Sequence, residues 1–329
     1  MTLIWRDTDI RQKTIRTMQG ATFMQPSQPA LDPESRKRIA FIGAGQMGGR
    51  LARLLMRAGH ELIVCDQAPS VQKAFAADGA AIAATPAECA SADIVVIFVM
   101  NGTEALSATL GPSGLLSAID PSAPPLVLIM STIMPDEARQ IAAGLSPKGV
   151  HTVDAPVTGG PILAEQGKLL ILAGGDPADV DRAHAVLRLM GREVIRCGAL
   201  GEGLTAKILN NMLGIANMYL MQECYRLGVA YGMPPSRVAA ILEKGAGQNF
   251  WTRDVGETVA NMDVLSRDPD YFVKMMRACM KDWGCAVELA EKVDMQLPFL
   301  GGMMSTVSGI DGEALLSQWR GFVDLHATA

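Results

Sequence analysis

Ile39-Ala-Phe-Ile-Gly43-Ala-Gly45-Gln-Met-Gly48 is the stretch that decides the fold of this chain. It places a G-x-G-x-x-G pattern between a short apolar run, which predicts a strand, and a segment with helical spacing. Gly43 permits a tight turn, Gly45 lets the backbone approach a pyrophosphate, and Gly48 lets helix and strand pack closely. The N–H groups at the start of the helix attract phosphate. We therefore expect this loop to bind a dinucleotide through Gly43, Ala44, Gly45, Gln46, Met47 and Gly48.

An acidic residue closes the next predicted strand, Leu62–Cys65. Asp66 lies at roughly the 20-residue spacing at which a carboxylate accepts hydrogen bonds from a ribose diol. A carboxylate repels a 2′-phosphate, and the following residues contain no arginine that could bind one, so the pattern favours NAD over NADP. At this point three alternatives stay open: a glycine-rich turn without a ligand, a strand-end cap or salt bridge at Asp66, and a methyltransferase that binds S-adenosylmethionine.

Short strands alternate with helices from residue 38 to residue 198, which predicts β-α-β units and a parallel sheet. After residue 198 the pattern is helical only. The predicted fold class is therefore α/β: a Rossmann domain at 38–198, a long connecting helix, and an all-helical substrate and dimerisation domain within 199–329. Residues 1–37 are polar and contain several prolines, and we interpret them as a flexible N-terminal extension. The predicted strands are Ile39–Ile42, Leu62–Cys65, Ala81–Ala83, Asp93–Met100, Pro125–Met130, Val150–Val153, Leu169–Ala173 and Glu193–Cys197, and the helices after residue 198 are Leu204–Tyr231, Pro235–Glu243, Tyr271–Lys292 and Gly312–His326.

Composition narrows the class of protein. The 329 residues are 49% hydrophobic and 19% charged, which is typical of a globular chain. A net charge of −5 gives no reason to expect a nucleic acid as partner, and no apolar run is long enough to span a membrane. The six cysteines and four histidines are scattered, so the sequence predicts no metal site and no disulfide framework. These features favour a cytoplasmic protein.

Two later segments carry residues suited to acid–base chemistry. Asp154-Ala-Pro-Val-Thr158-Gly159-Gly160 follows a predicted strand, and its hydroxyl and exposed backbone suit a carboxylate, although a simple turn is an equal alternative. Lys207 and Asn211 lie four residues apart in the long helix and share a face. Apolar surroundings lower the pKa of a lysine, which suits proton exchange with an alcohol or carbonyl oxygen. From spacing alone, a surface lysine is the alternative.

A third set of side chains, Lys274, Arg277 and Lys281, shares one face of a later predicted helix, with Asp282 beside the last of them. A basic face of this kind is usually solvated. The alternative is that it binds an anion or the cofactor from the second domain.

Four sequence blocks, in this order, resemble the β-hydroxyacid dehydrogenase family, which includes 3-hydroxyisobutyrate dehydrogenase and tartronate semialdehyde reductase. They are Phe41–Gly48, Asp154–Gly160, Gly203–Asn211 and Met280–Asp282, and the resemblance covers roughly residues 38–325. It implies a Rossmann domain joined by a long helix to a helical domain, through which members form homodimers or homotetramers. Thr158 departs from the pattern, because the family usually has serine there.

The resemblance also implies residue roles. By it, Lys207 is the general acid/base and Asn211 helps to place both the lysine and the substrate. The substrate carboxylate would be bound by Thr158, Gly159 and Gly160. The other residues implied to contact the cofactor are Val99 and Met100 on the adenosine side, Thr132 near the nicotinamide, and Lys281, which approaches both cofactor and substrate.

The expected function is therefore that of an NAD-dependent oxidoreductase that interconverts a small 3-hydroxy acid and its semialdehyde. Two alternatives are kept. One is an imine reductase-like enzyme that uses NADPH, although such relatives usually lack a lysine at the position of Lys207. The other is a regulator that binds NAD(H) without turnover.

Overall fold

The computed structural model describes residues 36–327, so the predicted N-terminal extension lies almost entirely outside the described residues. The described chain begins with alternating strands and helices and ends with helices only. The strands are β1 (Arg38–Ile42), β2 (Glu61–Cys65), β3 (Ala81–Ala83), β4 (Ile94–Ile97), β5 (Leu126–Ile129), β6 (His151–Asp154), β7 (Val157–Thr158), β8 (Leu169–Gly174) and β9 (Gly191–Gly198).

One sheet contains all of these strands, in the order β3-β2-β1-β4-β5-β6-β8-β7, with β9 paired to β8. The first six strands pair in parallel, and their order is that of a Rossmann fold. This confirms the predicted fold class. The far edge differs from a purely parallel sheet, because β8 runs antiparallel to both β6 and β7.

Twelve α-helices lie within residues 36–327, and the longest of them connects the sheet to the helical part of the chain. The predicted helices between 204 and 326 are all present, while the sequence pattern gave no prediction for α3, α4, α5, α9 and α11. The helices are α1 (Gly48–Arg57), α2 (Pro69–Ala77), α3 (Gly102–Leu110), α4 (Pro135–Leu145), α5 (Gly160–Glu165), α6 (Pro177–Met190), α7 (Glu202–Ala230), α8 (Pro235–Leu242), α9 (Val255–Arg267), α10 (Pro269–Glu291), α11 (Pro298–Ser308) and α12 (Gly312–Ala327).

The central strands are buried on both faces, because successive side chains of a strand point to opposite sides. In β1, Ile39 and Phe41 pack into a core with α1 and α6, whereas Ala40 and Ile42 pack into a second core with α3 and α4. A third core, centred on Trp283, fills the helical part. Since α7 contacts β8 and β9 at one end and α8, α10 and α12 along its length, it fixes the helical part against the sheet.

Candidate active site

A cleft of about 1660 Å³ opens at the carboxyl ends of β1, β2, β4 and β5, where strand order reverses and α/β folds bind ligands. Side chains of α7 and α10 form its opposite wall. Its volume exceeds that of most single-ligand pockets, as a dinucleotide together with a substrate would require. Of the sequence-predicted site residues, those that line it are Gly43, Ala44, Gly45, Gln46, Met47, Gly48, Asp66, Val99, Met100, Thr132, Lys207 and Lys281.

The glycines of the loop between β1 and α1 occupy three different environments. A Cβ on Gly43 would lie 2.3 Å from the carbonyl oxygen of Phe98, and one on Gly48 would lie 2.4 Å from the carbonyl oxygen of Gly43. A Cβ on Gly45 would meet nothing within 4 Å. Gly43 and Gly48 therefore serve close packing within the protein, while Gly45 keeps the wall of the cleft bare. No side chain caps α1. The N–H groups of Gly49 and Arg50 already donate to the carbonyl oxygens of Gly45 and Met47, so the N–H groups that a phosphate could use are those of the loop before the helix.

Asp66 shapes the same end of the cleft. Its two carboxylate oxygens accept hydrogen bonds from the backbone N–H groups of Ala44 and Ala68, each at 2.8 Å. The residue thus ties the glycine loop to the start of α2. An ionised carboxylate retains free lone pairs after these two bonds, so the geometry is compatible with additional bonds from a ribose.

Lys207 is the first member of a chain of polar contacts that crosses the cleft. Its Nζ donates to Oδ1 of Asn211 at 2.8 Å, and Nδ2 of Asn211 donates to Oδ2 of Asp282 at 2.6 Å. The other oxygen of Asp282 lies 2.8 Å from Nζ of Lys281, which also donates to the carbonyl oxygen of Thr132. The contacts therefore link α7 and α10 to the loop after β5.

Lys207 is only 8% exposed. Burial lowers its pKa to about 8, because an ammonium loses hydration in the cleft; the Asp282 carboxylate opposes this shift and the Lys281 ammonium adds to it. A group with a pKa close to neutral can both accept and donate a proton at physiological pH. Lys207 is thus not the solvated surface lysine that spacing alone left open.

Thr158, Gly159 and Gly160 do not line the enclosed cleft, although the preceding Val157 does. They are half-buried beside it, and Oγ1 of Thr158 accepts a hydrogen bond from Nδ2 of Asn210 at 3.1 Å. A Cβ on Gly160 would lie 2.9 Å from Oδ1 of Asn261, so α9 leaves no room for a side chain there. Asn210 therefore connects this loop to the Lys207 site, because its Nδ2 also donates to Oδ1 of Asn211, the atom that accepts from Lys207.

The three basic residues on one face of α10 do not all line the cleft. Lys274 and Lys281 line the cleft, while Arg277 does not and is exposed. The sequence alone assigned no role to Asn210 or Asp282, and each proves to bond a predicted site residue. The signal for Asn210 was its place between Lys207 and Asn211. For Asp282 the only signal was its position next to Lys281.

Two further findings concern the described residues. Within 36–327, no helix is long and apolar enough to cross a membrane. In the same part of the chain, no three histidine, cysteine, aspartate or glutamate side chains are grouped as a metal ion would need.

Comparison with known families gives two matches that lie side by side along the chain. Residues 38–198 match the NAD binding domain of 6-phosphogluconate dehydrogenase. Residues 201–315 match the family described as the NAD-binding domain of NADP-dependent 3-hydroxyisobutyrate dehydrogenase. Both families are thus named for a nicotinamide cofactor.

Several individual proteins that resemble this chain are named 3-hydroxyisobutyrate dehydrogenase. The chain is 32% identical to 3-hydroxyisobutyrate dehydrogenase of Pseudomonas aeruginosa over 84% of this chain and 92% of that protein. It is 35% identical to mitochondrial 3-hydroxyisobutyrate dehydrogenase of Mus musculus, over 67% of this chain but only 65% of the mouse protein. Among solved structures, Mycobacterium tuberculosis 3-hydroxyisobutyrate dehydrogenase with L-serine aligns with a TM-score of 0.69 at 26% identity, covering 87% of this chain and 99% of that one.

Proposed function

Because this chain belongs to the β-hydroxyacid dehydrogenase family, we propose that it interconverts a small 3-hydroxy acid and its semialdehyde with NAD as the cofactor. Its relatives are dehydrogenases that act on a hydroxyl group, which places the chain in the class of NAD(P)-dependent oxidoreductases. The observation that carries the finer proposal is the buried Lys207, bonded to Asn211 in the cleft that the Gly43–Gly48 loop lines.

The residues of the cleft fit a dinucleotide. Gly45 leaves open the space that a Cβ would fill, and the loop that leads into α1 would offer its backbone N–H groups to a pyrophosphate. Asp66 would bind a ribose diol and repel a 2′-phosphate, which supports NAD over NADP. When bound, the nicotinamide supplies the carbon that accepts or donates the hydride.

Lys207 handles the proton in this proposal. In the oxidation, its neutral amine accepts the proton of the substrate hydroxyl; in the reduction, its ammonium returns one to the carbonyl oxygen. The ammonium also stabilises negative charge as it develops on that oxygen. Oδ1 of Asn211 holds the amine in place, and the Asp282 carboxylate behind it limits how far burial lowers the pKa of the lysine.

The substrate is proposed to be a carboxylic acid with its hydroxyl on the third carbon. Thr158, Gly159, Gly160 and Lys281 offer a hydroxyl, backbone N–H groups and an ammonium for the carboxylate. L-Serine accompanies the mycobacterial structure and is itself a 3-hydroxy acid, which makes it a natural member of the test panel beside 3-hydroxyisobutyrate.

One absorbance screen at the reduced-nicotinamide band tests the proposal. Short 3-hydroxy acids are offered with NAD and NADP, and semialdehydes with the reduced cofactors. We expect turnover with at least one 3-hydroxy acid and a preference for NAD. Cyclic imines with NADPH form a further arm, and activity confined to that arm would favour an imine reductase. Binding of NADH without turnover on any substrate would instead indicate a regulator.

The Lys207→Ala variant separates catalysis from binding. It should lose most turnover and keep its affinity for NADH, because the glycine loop is untouched. The matched control is Lys274→Ala, which removes an exposed lysine of the same cleft. Near-normal turnover of Lys207→Ala would contradict the proposed role.

We also propose a homodimer or homotetramer in the cytoplasm. Leu209, Leu213, Leu220 and Leu227 lie along α7 with between 49% and 65% of each side chain exposed. A row of exposed leucines on one helix is an apolar surface that a second copy of the chain would cover. Light scattering on the purified protein tests this, and a monomer at micromolar concentration would contradict it.

A further inference from the structure

Asp154, the last residue of β6, is fully buried and has no part in the mechanism above. Its Oδ1 accepts a hydrogen bond from the backbone N–H of Gly201, and its Oδ2 accepts one from the backbone N–H of Leu204, both at 2.7 Å. Gly201 is the N-cap residue of α7, the helix that carries Lys207, and Leu204 lies in its first turn. The carboxylate thus attaches the sheet directly to that helix.

The start of α7 depends on this carboxylate. The first N–H groups of a helix have no partner inside the helix. The side chain of the N-cap residue, which directly precedes the helix, usually accepts a hydrogen bond from one of them. Here that position is Gly201, which has no side chain. Asp154 therefore caps α7 from another element, and its negative charge also suits the positive end of the helix.

The carboxylate sits in a closely fitting slot. A Cβ on Gly174 would lie 2.5 Å from Oδ1 of Asp154, and a Cβ on Gly203 would lie 2.7 Å from Oδ2. Any side chain at either position would displace the carboxylate. The carboxylate therefore packs directly against the backbone of β8 and of the first turn of α7.

A second contact holds α7 to the same segment of chain. Oγ1 of Thr158 accepts a hydrogen bond from Nδ2 of Asn210, nearly two turns after Leu204. Lys207 lies midway between these two attachment points. Lys207 is three residues from each of these points, which is less than one helical turn.

We propose that Asp154 is a positioning residue for the reaction: with Thr158 it fixes α7 on both sides of Lys207, so that the loop expected to bind the substrate carboxylate and the lysine keep a set separation. This inference rests on the proposed function of Lys207. The segment 154–160 then has two proposed roles. Gly159 and Gly160 bind the substrate carboxylate, and Asp154 fixes the helix that carries Lys207.

The Asp154→Asn variant tests the proposal. The amide can accept from one N–H group only, and its own N–H₂ would point at the other donor, so the start of α7 must shift. A displacement of about 1 Å at the reacting groups lowers kcat by about 10- to 100-fold. We expect this loss in kcat, with little change in KM and an unchanged dissociation constant for NADH.

A second readout does not depend on turnover. The pKa of Lys207 is measured by NMR on protein labelled with ¹³C-lysine, and the Lys207→Met spectrum assigns the signal. Loosening α7 admits water to the lysine, so in Asp154→Asn its pKa should move up from about 8 toward the ordinary 10.5. The groups that face it, Asp282, Lys281 and Cys279, are the same in both proteins, so they do not produce the difference.

Asp179→Asn is the matched control. Asp179 is a buried carboxylate on α6 whose side chain bonds to His151 and Arg182, neither of which belongs to α7. This variant should lose stability and keep both kcat and the pKa of Lys207. If Asp154→Asn does the same, Asp154 is merely structural and the proposal is overturned.

The test still gives an answer if Asp154→Asn does not fold or if the wild type turns over no substrate. If Asp154→Asn does not fold, Asp154→Ser replaces it, because a hydroxyl forces no donor against the helix; the same upward shift of the Lys207 pKa is expected, and its absence overturns the proposal. If the wild type turns over no substrate, the proposed function fails, but the NMR measurement still decides whether Asp154 sets the environment of Lys207.

Discussion

Removing the side chain that we assign to catalysis should stabilise the protein. The perturbation is Lys207→Met, which keeps the length and apolar stem of the side chain and removes its ammonium. Lys207 is 8% exposed, and in the folded protein its pKa is lowered to about 8 by burial. Folding removes the charged ammonium from water, and this lowers the free energy of unfolding of the wild type.

The size of this cost follows from the pKa. The difference between a folded value of about 8 and the ordinary 10.5 corresponds to about 3 kcal/mol of unfolding free energy. The variant also loses the hydrogen bond from Nζ to Asn211, which costs about 1 kcal/mol. Near pH 7 we therefore expect Lys207→Met to be more stable than the wild type by about 2 kcal/mol.

The dependence on pH has a defined sign. Below pH 8 both the folded and the unfolded lysine hold the proton, so the whole cost is present. Between pH 8 and 10.5 the unfolded chain keeps the proton and the folded protein releases it, so the wild type gains stability as pH rises. The advantage of Lys207→Met should therefore shrink by about 3 kcal/mol across this window and reverse near its upper end.

The assay is urea unfolding of both proteins without cofactor, at a series of pH values from 7 to about 10.5. The difference between the two proteins at each pH removes the titration of all other groups. Lys274→Met, at an exposed position of the same cleft, is the control for exchanging lysine for methionine. A difference between Lys207→Met and wild type that does not change with pH would refute the reasoning.

Three further outcomes follow from the site. Gly45→Ala should weaken NADH binding by at least about tenfold and leave the urea midpoint unchanged. Gly48→Ala should instead lower the free energy of unfolding by about 1–3 kcal/mol, because its Cβ would lie 2.4 Å from the carbonyl oxygen of Gly43. If both variants changed NADH binding and stability equally, the separate roles of the two glycines would be contradicted. Asp66→Asn removes the carboxylate that would repel a 2′-phosphate, and losing a repulsion of about 1.4 kcal/mol should raise the ratio of kcat/KM for NADP over NAD by about tenfold. An unchanged ratio would show that Asp66 does not decide the choice of cofactor. In the wild type, kcat for oxidation should rise with pH through about 8 and kcat for reduction should fall through the same value, as the lowered pKa of Lys207 requires; profiles that are flat between pH 7 and 9 would contradict this.

Much of the fold could be predicted because its signals are local. Strands buried on both faces are continuous apolar runs, and the turn from β1 to α1 needs its glycines within a few residues of each other. Helix α3 gave no such signal. Its buried positions include Gly102, Ala105 and Ala108, and residues this small leave no apolar period to read.

The pairing of Lys207 with Asn211 follows from their four-residue spacing, but the contacts that join this pair to other elements could not be predicted in the same way. Asn211 bonds Asp282 across 71 residues of sequence, and Asp154 bonds Gly201 across 47. No periodicity links such positions, since only the packing of one element on another brings them together. The resemblance to a family identified the segments that contain these residues, but it did not say which atom meets which.

In the structure, these separate segments all restrain the surroundings of Lys207. Asp154 and Thr158 hold α7 on both sides of Lys207, and Asp282 approaches from α10 behind Asn211. A buried lysine is stable in one position only if its neighbours are fixed, because a small shift would let it reach water and regain its ordinary pKa. The proposed proton transfer by Lys207 thus depends on β6, α7 and α10 together, so the residues around the lysine come from three distant parts of the chain.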